Sequence, residues 1–508
     1  MPCGWSVGHR ESKDPYSLEQ LRSDGRHPLK VGGEMRSSCP VPQNGPMRRF
    51  LLELVLIGGL ASLAFPQAPA PGTVHSSIAV IADASNSYAL YLPAAYSPAK
   101  RWPLLLVFDP FARGEVSVKL FQEAAEKYGF IVVGSNNSRN FEDPSTAVRL
   151  LWADVNARYA IDPRRLYVAG LSGGARVASS LALACKDCVA GVIANGAGLP
   201  QHAAVPGPEV ADWFLVAGTT DFNYPELLHL DEALATNHAA TRFVVYDGPH
   251  GWMPKEFTER ALAWLQLRAM LKGTAEVDKE FVGKQFDDRL AQAQSARKGG
   301  DILQAVRAYR EIAQDFSAFR DVKEEEATAR SLAESEEFRK AAKNEKAILD
   351  LQDAVTNKVA NQVAAIAQGS DDRTTVVAQL QTAVDDAYRD EKGSNPARAQ
   401  AIERGLAAAF AYAVESGQQD MLKKDYVAAR AMFQAGEIIL PQSAWASYLL
   451  ATAHVQLREK KPAIQELKKA MEKGLTNPKL LDDSAFDPIR NEPAFKELVA
   501  RLSQASPK

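Results

Sequence analysis

The chain contains little cysteine, with four residues in 508. After residue 66 only Cys185 and Cys188 remain, and no second C-x-x-C pair follows them. A tetrahedral zinc site needs more ligands than this pair supplies, so a zinc site is not expected. The sequence implies no other metal and no organic cofactor. In an oxidising compartment Cys185 and Cys188 could close a small disulfide, but two unbonded, partly buried thiols fit the sequence equally well.

A large excess of charge of either sign is also lacking. Lysine and arginine total 59 residues, aspartate and glutamate total 62, and the formal net charge is −3. Nucleic acids and anionic membranes attract strongly basic surfaces, so neither is expected as a partner. The basic residues lie next to acidic ones along helical stretches, as they do on solvated helix faces.

The apolar run from residue 50 to residue 65 is too short for a transmembrane helix, which needs about 20 apolar residues. It follows a positively charged start at Met47 and precedes a segment rich in proline and alanine, which is the order found in a signal peptide. We therefore predict a signal peptide over 47–70, with Met47 as its true start. The protein would be exported to the periplasm or outside the cell, with no stable membrane span in the mature chain.

Residues 1–46 are rich in glycine, proline and serine and show no periodicity. A signal peptide does not normally lie behind such a segment, so 1–46 is interpreted as a non-native or disordered leader. The alternative is a disordered cytoplasmic leader in front of a buried apolar segment.

Between residues 76 and 272, short β-rich runs alternate with amphipathic helical stretches. Most of the runs are apolar throughout, as expected for strands that helices cover on both faces. The alternation predicts an α/β domain with a doubly wound, mostly parallel sheet. The predicted strands are 77–82, 88–92, 104–108, 131–134, 166–169, 189–194, 213–217 and 243–246.

The β signal disappears after residue 275, and the rest of the chain has helical spacing with few glycines. Residues 417–502 are predicted to form tetratricopeptide-like repeats, because a pattern of small and large residues recurs after 34 positions. The region 276–416 is predicted to be helical, with one candidate repeat unit over 284–318. Ordinary helical hairpins with coincidental alanine spacing are the alternative. The recurring residues are Ala429, Phe433, Gly436 and Pro441, then Ala463, Leu467, Ala470 and Leu475.

The segment Gly170–Gly174 reads Gly-Leu-Ser-Gly-Gly, after an apolar run and before a helix-forming stretch. This G-x-S-x-G unit is typical of a nucleophile elbow, in which a sharp turn lifts the serine oxygen above a parallel sheet. Because so short a pattern also arises by chance in unrelated sequences, its structural context must support the interpretation. It makes Ser172 the candidate nucleophile.

A serine nucleophile needs a histidine base and a carboxylate that orients the histidine, in the chain order Ser, acid, His. Asp221 follows the predicted strand 213–217, and His250 follows the strand 243–246. Both partners thus lie at the expected strand ends and in the expected order. Alternatives remain: Asp221 could cap the helix that begins near Pro225, Asp247 is a rival acid, and His250 could be a structural loop histidine.

These motifs resemble those of small α/β-hydrolases, the group that includes dienelactone hydrolases, feruloyl esterases and polyhydroxybutyrate depolymerases. The resemblance covers residues 76–272 and rests on the stretch 159–174 and on Gly-Pro-His-Gly-Trp at 248–252. It implies that Ser172 is the nucleophile, His250 the general base and acid, and Asp221 the orienting carboxylate.

The chain departs from the family pattern in the loop after strand 104–108. That loop usually carries His-Gly and supplies an oxyanion-hole N–H, but here it begins with Asp109 and Pro110. Proline has no N–H, and a carboxylate facing the site would repel a developing oxyanion. We expect the Gly173 N–H to be one donor and that of Phe111, or of Ala112, to be the second.

The sequence as a whole predicts an exported serine esterase acting on a small-molecule or polymeric ester. Its helical arm is expected to bind a protein partner or to pack back on its own enzyme. A serine peptidase or acyltransferase with the same machinery is one alternative. A non-catalytic scaffold that keeps the hydrolase domain as a binding module is another.

Overall fold

The computed structural model describes residues 69–368 and 373–505. The predicted leader over 1–46 and nearly all of the predicted signal peptide over 47–70 lie outside these residues. The described chain forms two compact units, and two short segments from within the predicted hydrolase domain group with the helical region. The first unit contains 69–216, 230–243 and 253–282, and the second contains 217–229, 244–252 and the residues from 283 onward.

An eight-stranded sheet has the strand order β1-β2-β4-β3-β5-β6-β7-β8. Strand β2 pairs antiparallel with β1 and β4, whereas the pairs β3–β4, β3–β5, β5–β6 and β6–β7 are parallel. The predicted mostly parallel α/β sheet is thereby confirmed. The strands are β1 Val74–Val80, β2 Asp83–Tyr91, β3 Trp102–Phe108, β4 Ile131–Ser135, β5 Ile161–Leu171, β6 Val189–Asn195, β7 Asp212–Thr220 and β8 Thr241–Pro249.

The central strands β3 and β4 are buried along their whole length, which explains why they read as continuous apolar runs. Crossover helices join most of the parallel strands, as parallel connections usually require, whereas β6 and β7 are joined by residues 196–211 without a helix. The helices are α1 Gly114–Tyr128, α2 Ser145–Arg158, α3 Gly173–Ala184, α4 Tyr224–Thr236 and, after β8, α5 Lys255–Leu271.

The rest of the described chain is helical, as predicted. Side-chain N-caps begin several of these helices, and each accepts a hydrogen bond from the main-chain N–H three residues on; they are Asp301, Ser335, Asn395, Asp425 and Ser443. The helices are α6 Lys279–Lys298, α7 Ile302–Phe316, α8 Lys323–Ala333, α9 Glu336–Ala367, α10 Arg373–Lys392, α11 Pro396–Leu422, α12 Tyr426–Ile439, α13 Ala444–Gln456, α14 Lys460–Glu472 and α15 Pro493–Ala505, with 3-10 helices at Pro478–Asp482 and Ser484–Ile489.

The small residues of the predicted repeats lie at close helix contacts. Gly417 on α11 leaves room for Phe433 on α12, since a Cβ on Gly417 would meet the phenyl ring at 2.4 Å. Ala429 and Phe433 on α12 and Ala463 on α14 are fully buried. This packing explains the recurring small and large residues, and the tetratricopeptide assignment itself stays a prediction.

Candidate active site

Ser172 lies in a sharp turn between β5, which ends at Leu171, and α3, which begins at Gly173. Its φ is 54° and its ψ is −122°, a conformation that a residue with a Cβ adopts only at a cost. The Ser172 N–H donates to Asn195 O at 2.8 Å and anchors the turn to β6. This is the strand–turn–helix context that the sequence motif requires.

Two glycines allow this turn because main chain passes close to main chain. A Cβ on Gly170 would lie 2.2 Å from the main chain of Gly174, and a Cβ on Gly174 would lie 2.0 Å from Phe108 O. Any larger residue would therefore push the elbow away from the sheet.

The residue after Ser172 supplies a donor that an oxyanion can use. Gly173 is the first residue of α3, and the first N–H groups of a helix have no partner within it. The positive end of the helix dipole adds to the attraction for negative charge. The predicted role of Gly173 is thus compatible with its position.

Asp221 and His250 are brought together in the second unit. Asp221 follows β7 and is fully buried, and its Oδ1 lies 2.8 Å from His250 Nδ1. An ionised carboxylate only accepts hydrogen bonds, so His250 Nδ1 donates and its Nε2 is left as the proton acceptor. Ser172 belongs to the first unit.

The alternative roles of these residues are also visible. Asp221 Oδ1 accepts the Asn223 N–H at 2.9 Å, so the carboxylate shapes the turn before α4 as well as holding the histidine. Asp247, the rival acid, is exposed and accepts from Thr219 Oγ1 at 3.0 Å. The carboxylate that contacts His250 is that of Asp221.

The histidine loop is fixed on more than one side. The ring of Phe222 lies against the imidazole of His250, with ring centroids 4.3 Å apart and an angle of 32° between the ring planes. Tyr246 Oη donates to Pro249 O and lies equally close to Gly251 O, at 2.9 Å each, so the phenol spans the loop that carries the histidine.

The loop after β3 is arranged differently from the expectation. Asp109 is fully buried, and its carboxylate accepts from the Phe111 N–H at 2.8 Å and from Arg113 Nε and Nη2 at 2.9 Å each. The Ala112 N–H donates to Asp109 O at 3.0 Å. Both N–H groups that the sequence suggested as second donors are therefore engaged, because the aspartate closes a turn on its own loop. A substrate oxyanion would have to displace the carboxylate to use the Phe111 N–H.

Sequence reasoning missed the residues that surround these groups. Asn140 lies against Gly173 in the first unit, and Gln352 and Arg404 hold the Asp221 loop in the second. The only sequence signal for the last pair is a charged residue in an alanine-rich helix, followed by Gly405. Nothing in that signal points to the Asp221 loop, because Thr219 in that loop precedes Arg404 by 185 residues.

Cys185 and Cys188 are joined by a disulfide in the loop between α3 and β6. Among residues 69–368 and 373–505, no group of three or more histidine, cysteine or acidic residues is placed to hold a metal ion. Within the same residues, no helix is long and apolar enough to cross a membrane.

No family model and no curated protein matches this sequence. Solved structures do match it at low identity. Serine hydrolase F of Staphylococcus aureus, which binds fluorophosphonate, is 15% identical, with a TM-score of 0.32, and the match covers 38% of this chain and 98% of the hydrolase. A ferulic acid esterase is 17% identical, with a TM-score of 0.33 and coverage of 38% and 96%.

An esterase of the hyperthermophilic archaeon Pyrobaculum calidifontis is 13% identical, with a TM-score of 0.32, and the match covers 45% of this chain and 98% of the esterase.

In this chain itself, an elbow follows the fifth strand of a mostly parallel eight-stranded sheet. The chain therefore has an α/β-hydrolase fold, followed by a long helical region.

Proposed function

We propose that the protein is a serine hydrolase that cleaves carboxylic esters through a covalent intermediate on Ser172. The observation that carries this proposal is the 2.8 Å contact between His250 Nδ1 and buried Asp221 Oδ1, in a chain that also holds Ser172 in a strained turn. Ser172 follows β5, Asp221 follows β7 and His250 follows β8, and these strands lie in the half of the sheet that runs from β5 to β8. Ligands of open α/β sheets bind beyond the carboxyl ends of such strands.

In the proposed mechanism Ser172 Oγ attacks the ester carbonyl carbon while its proton passes to His250 Nε2. The carbonyl π bond becomes a negatively charged oxygen in a tetrahedral intermediate. When that intermediate collapses, the C–O bond to the alcohol breaks and His250 returns the proton to the departing oxygen. A water molecule then repeats the sequence on the acyl-enzyme and releases the acid.

Asp221 has two functions in this scheme. Its carboxylate keeps the Nδ1 proton on His250, so that Nε2 faces the reacting atoms as a base. It also stabilises the imidazolium that forms when the proton arrives. The Gly173 N–H is the proposed first donor to the tetrahedral oxygen, because an N–H at the start of α3 costs no rearrangement when charge develops.

The experiment is a panel of p-nitrophenyl esters and peptide amides, assayed with the full chain and with the Ser172→Ala variant. We expect hydrolysis of esters that depends on Ser172. Cleavage of amides in preference to esters would favour a peptidase, and transfer to an added alcohol in preference to water would favour an acyltransferase. If the well-folded protein neither turns over any substrate nor reacts with a fluorophosphonate probe, the hydrolase proposal is wrong and a binding scaffold is favoured.

We further propose that the protein is exported and that its signal peptide begins at Met47. The charged and apolar segments described above support this, as does the Cys185–Cys188 disulfide, because disulfides persist in oxidising compartments. N-terminal sequencing of the protein from its native host is the test. A mature chain that begins shortly after residue 65 is expected, and a chain that retains residues 1–46 contradicts export.

We also propose that the predicted repeats over 417–502 bind a protein partner, because helical repeats more often bind proteins than perform chemistry. Affinity capture with residue-specific crosslinkers placed on α12 to α14 tests it. Crosslinks that leave these helices unlabelled contradict the assignment.

A further inference from the structure

Two polar side chains of the helical region are buried against the loop that carries Asp221. Gln352 on α9 is 3% exposed and Arg404 on α11 is 4% exposed. Arg404 Nη1 donates to Thr219 O at 2.7 Å, and Gln352 Nε2 donates to Phe222 O at 3.0 Å. The two carbonyl oxygens lie before and after Asp221 in the chain, so the loop is held on both sides of the carboxylate.

The two side chains also fix each other. Arg404 Nε donates to Gln352 Oε1 at 2.6 Å, and its guanidinium lies 4.8 Å from the ring centroid of Tyr224. The helices approach closely at Gly405, where a Cβ would lie 2.8 Å from the Val355 side chain and 2.9 Å from Gln352 O. The contact between Arg404 and Gln352 therefore depends on how α9 and α11 pack together.

Arg404 also supplies a positive charge that can compensate the buried carboxylate of Asp221. Asp221 is fully buried, and its Oδ2 has no hydrogen-bond partner within the described part of the chain. A buried carboxylate without a compensating charge is strongly destabilising. Burial lowers the pKa of the Arg404 guanidinium, while the charge of Asp221 acts in the opposite direction. Arg404 is thus a buried cation in the electrostatic field of Asp221.

We propose that Gln352 and Arg404 are positioning residues of the hydrolase site. They fix the loop over 219–222 and balance the charge of Asp221, so that the carboxylate holds His250 in the orientation that proton transfer needs. This inference rests on the proposed function. It makes α9 and α11 part of the machinery for turnover, in addition to any partner that the later repeats bind.

The test measures kcat and KM of the full chain with Arg404→Met and Arg404→Ala, using an ester that the wild type hydrolyses. We expect kcat to fall by about 10²-fold with KM little changed, because a small misplacement of a catalytic group costs this much. Added guanidinium should restore part of the kcat of Arg404→Ala, because the cation can occupy the space that the side chain leaves. A general loss of folding would not be rescued in this way.

Arg289→Met is the matched control. Arg289 is also a buried arginine of the helical region, but it pairs with Asp315 at 2.5 Å and with Glu311 at 3.5 Å instead of with the Asp221 loop. We expect it to lower the melting temperature without lowering kcat of the folded protein. A wild-type kcat in Arg404→Met, or a kcat loss in Arg289→Met equal to that in Arg404→Met, would overturn the positioning role. Absence of activity in the wild type would instead overturn the proposed function.

An independent observation concerns Asn140, in the first unit. A Cβ built on Gly173 would lie 1.9 Å from Asn140 Oδ1, and the three atoms nearest to that point all belong to the Asn140 amide. The Asn140 N–H donates to Pro110 O at 2.9 Å, so the segment is tied to the loop after β3. An amide group therefore lies directly beside the residue that follows Ser172.

We infer that the Asn140 Nδ2 group is the second oxyanion donor of the proposed hydrolase. The Phe111 and Ala112 N–H groups are engaged by Asp109, whereas the amide of Asn140 lies next to Gly173, with Oδ1 nearer than Nδ2 to the Cβ position of Gly173. The Nδ2 group of this amide carries two N–H donors. Side-chain amides serve this purpose in other serine hydrolases of unrelated fold. A half-turn about the Cβ–Cγ bond of Asn140 exchanges Oδ1 and Nδ2, and so brings the donor to the position of the oxygen.

The test compares kcat of Asn140→Leu and Asn140→Asp with that of the wild type. Loss of one donor should lower kcat by about 10²-fold in Asn140→Leu. Asn140→Asp should lose more, because a negative charge would face the developing oxyanion, whereas a role in packing alone would tolerate this nearly isosteric change. Asn237→Leu, at an exposed asparagine, is the control that should leave kcat unchanged. Wild-type kcat in both Asn140 variants would overturn the inference, and an inactive wild type would overturn the hydrolase proposal itself.

Discussion

The surroundings of Ser172 and of Asp221 are built in different ways. The serine turn depends on neighbours in sequence, since Gly170 and Gly174 provide the space that it needs. The aspartate loop depends on Gln352 and Arg404, which are distant in sequence and lie on two helices of the second unit. The nucleophile is therefore encoded in a short motif, whereas the environment of the acid is encoded in the packing of a whole helical region.

The largest effect should come from removing the nucleophile. Ser172→Ala is expected to lower kcat by about 10⁶-fold, the scale seen when the serine of a triad is removed. Ester hydrolysis and labelling by a fluorophosphonate probe are the measurements. Ser180→Ala, at an exposed serine of α3, the helix that follows Ser172, is the control and should behave as the wild type. Substantial turnover by Ser172→Ala would show that Ser172 is not the nucleophile.

The acid comes next. Asp221→Asn should lower kcat by about 10⁴-fold, because an amide stabilises the wrong tautomer of His250. Asp247→Asn is the matched control, since Asp247 is exposed and bonds to Thr219 instead of to the histidine. Steady-state kinetics of both variants decide between the two carboxylates. A larger loss of kcat in Asp247→Asn than in Asp221→Asn would show that Asp247, and not Asp221, is the acid.

Glycine substitutions compare the rigidity of the two regions. Gly174→Ala places a Cβ 2.0 Å from the main-chain oxygen of Phe108, whereas Gly417→Ala places one 2.4 Å from the Phe433 ring. Overpacking costs about 1–3 kcal/mol of the free energy of unfolding, and a main-chain oxygen cannot rotate away as a side chain can. Thermal or urea unfolding should therefore show the larger loss for Gly174→Ala. The reverse order would mean that the elbow yields more easily than the helical packing.

The smallest effect is expected at Gly283 on α6, where an added Cβ would meet no atom within 4 Å. Gly283→Ala should raise the free energy of unfolding by about 0.5–1 kcal/mol, because alanine loses less conformational entropy in a helix. Urea unfolding measures this change. Destabilisation would show that α6 packs against something at this position.

The two regions also differ in how far the sequence predicts them. The α/β sheet, the turn at Ser172 and the all-helical region beyond it follow from local patterns, since strand runs, glycines and helical spacing are all short-range signals. The contact of Asp221 with His250 follows from their positions after successive strands. The Asp109 turn, in contrast, reverses the expected availability of the Phe111 N–H, because the carboxylate could bond to its own loop or face the site and the sequence does not choose between them. The contacts of Arg404 depend on the packing of α9 against α11, which no local pattern contains.

Identification of the residue that carries the acyl group tests the central claim most directly. The full-length protein is quenched with acid during turnover of an ester or after reaction with a fluorophosphonate, and its peptides are mapped by mass spectrometry. The proposed mechanism predicts a single covalent adduct, on Ser172, which disappears in Ser172→Ala and forms more slowly in Arg404→Met. An adduct on another residue in active protein, or full activity without any adduct, would contradict it.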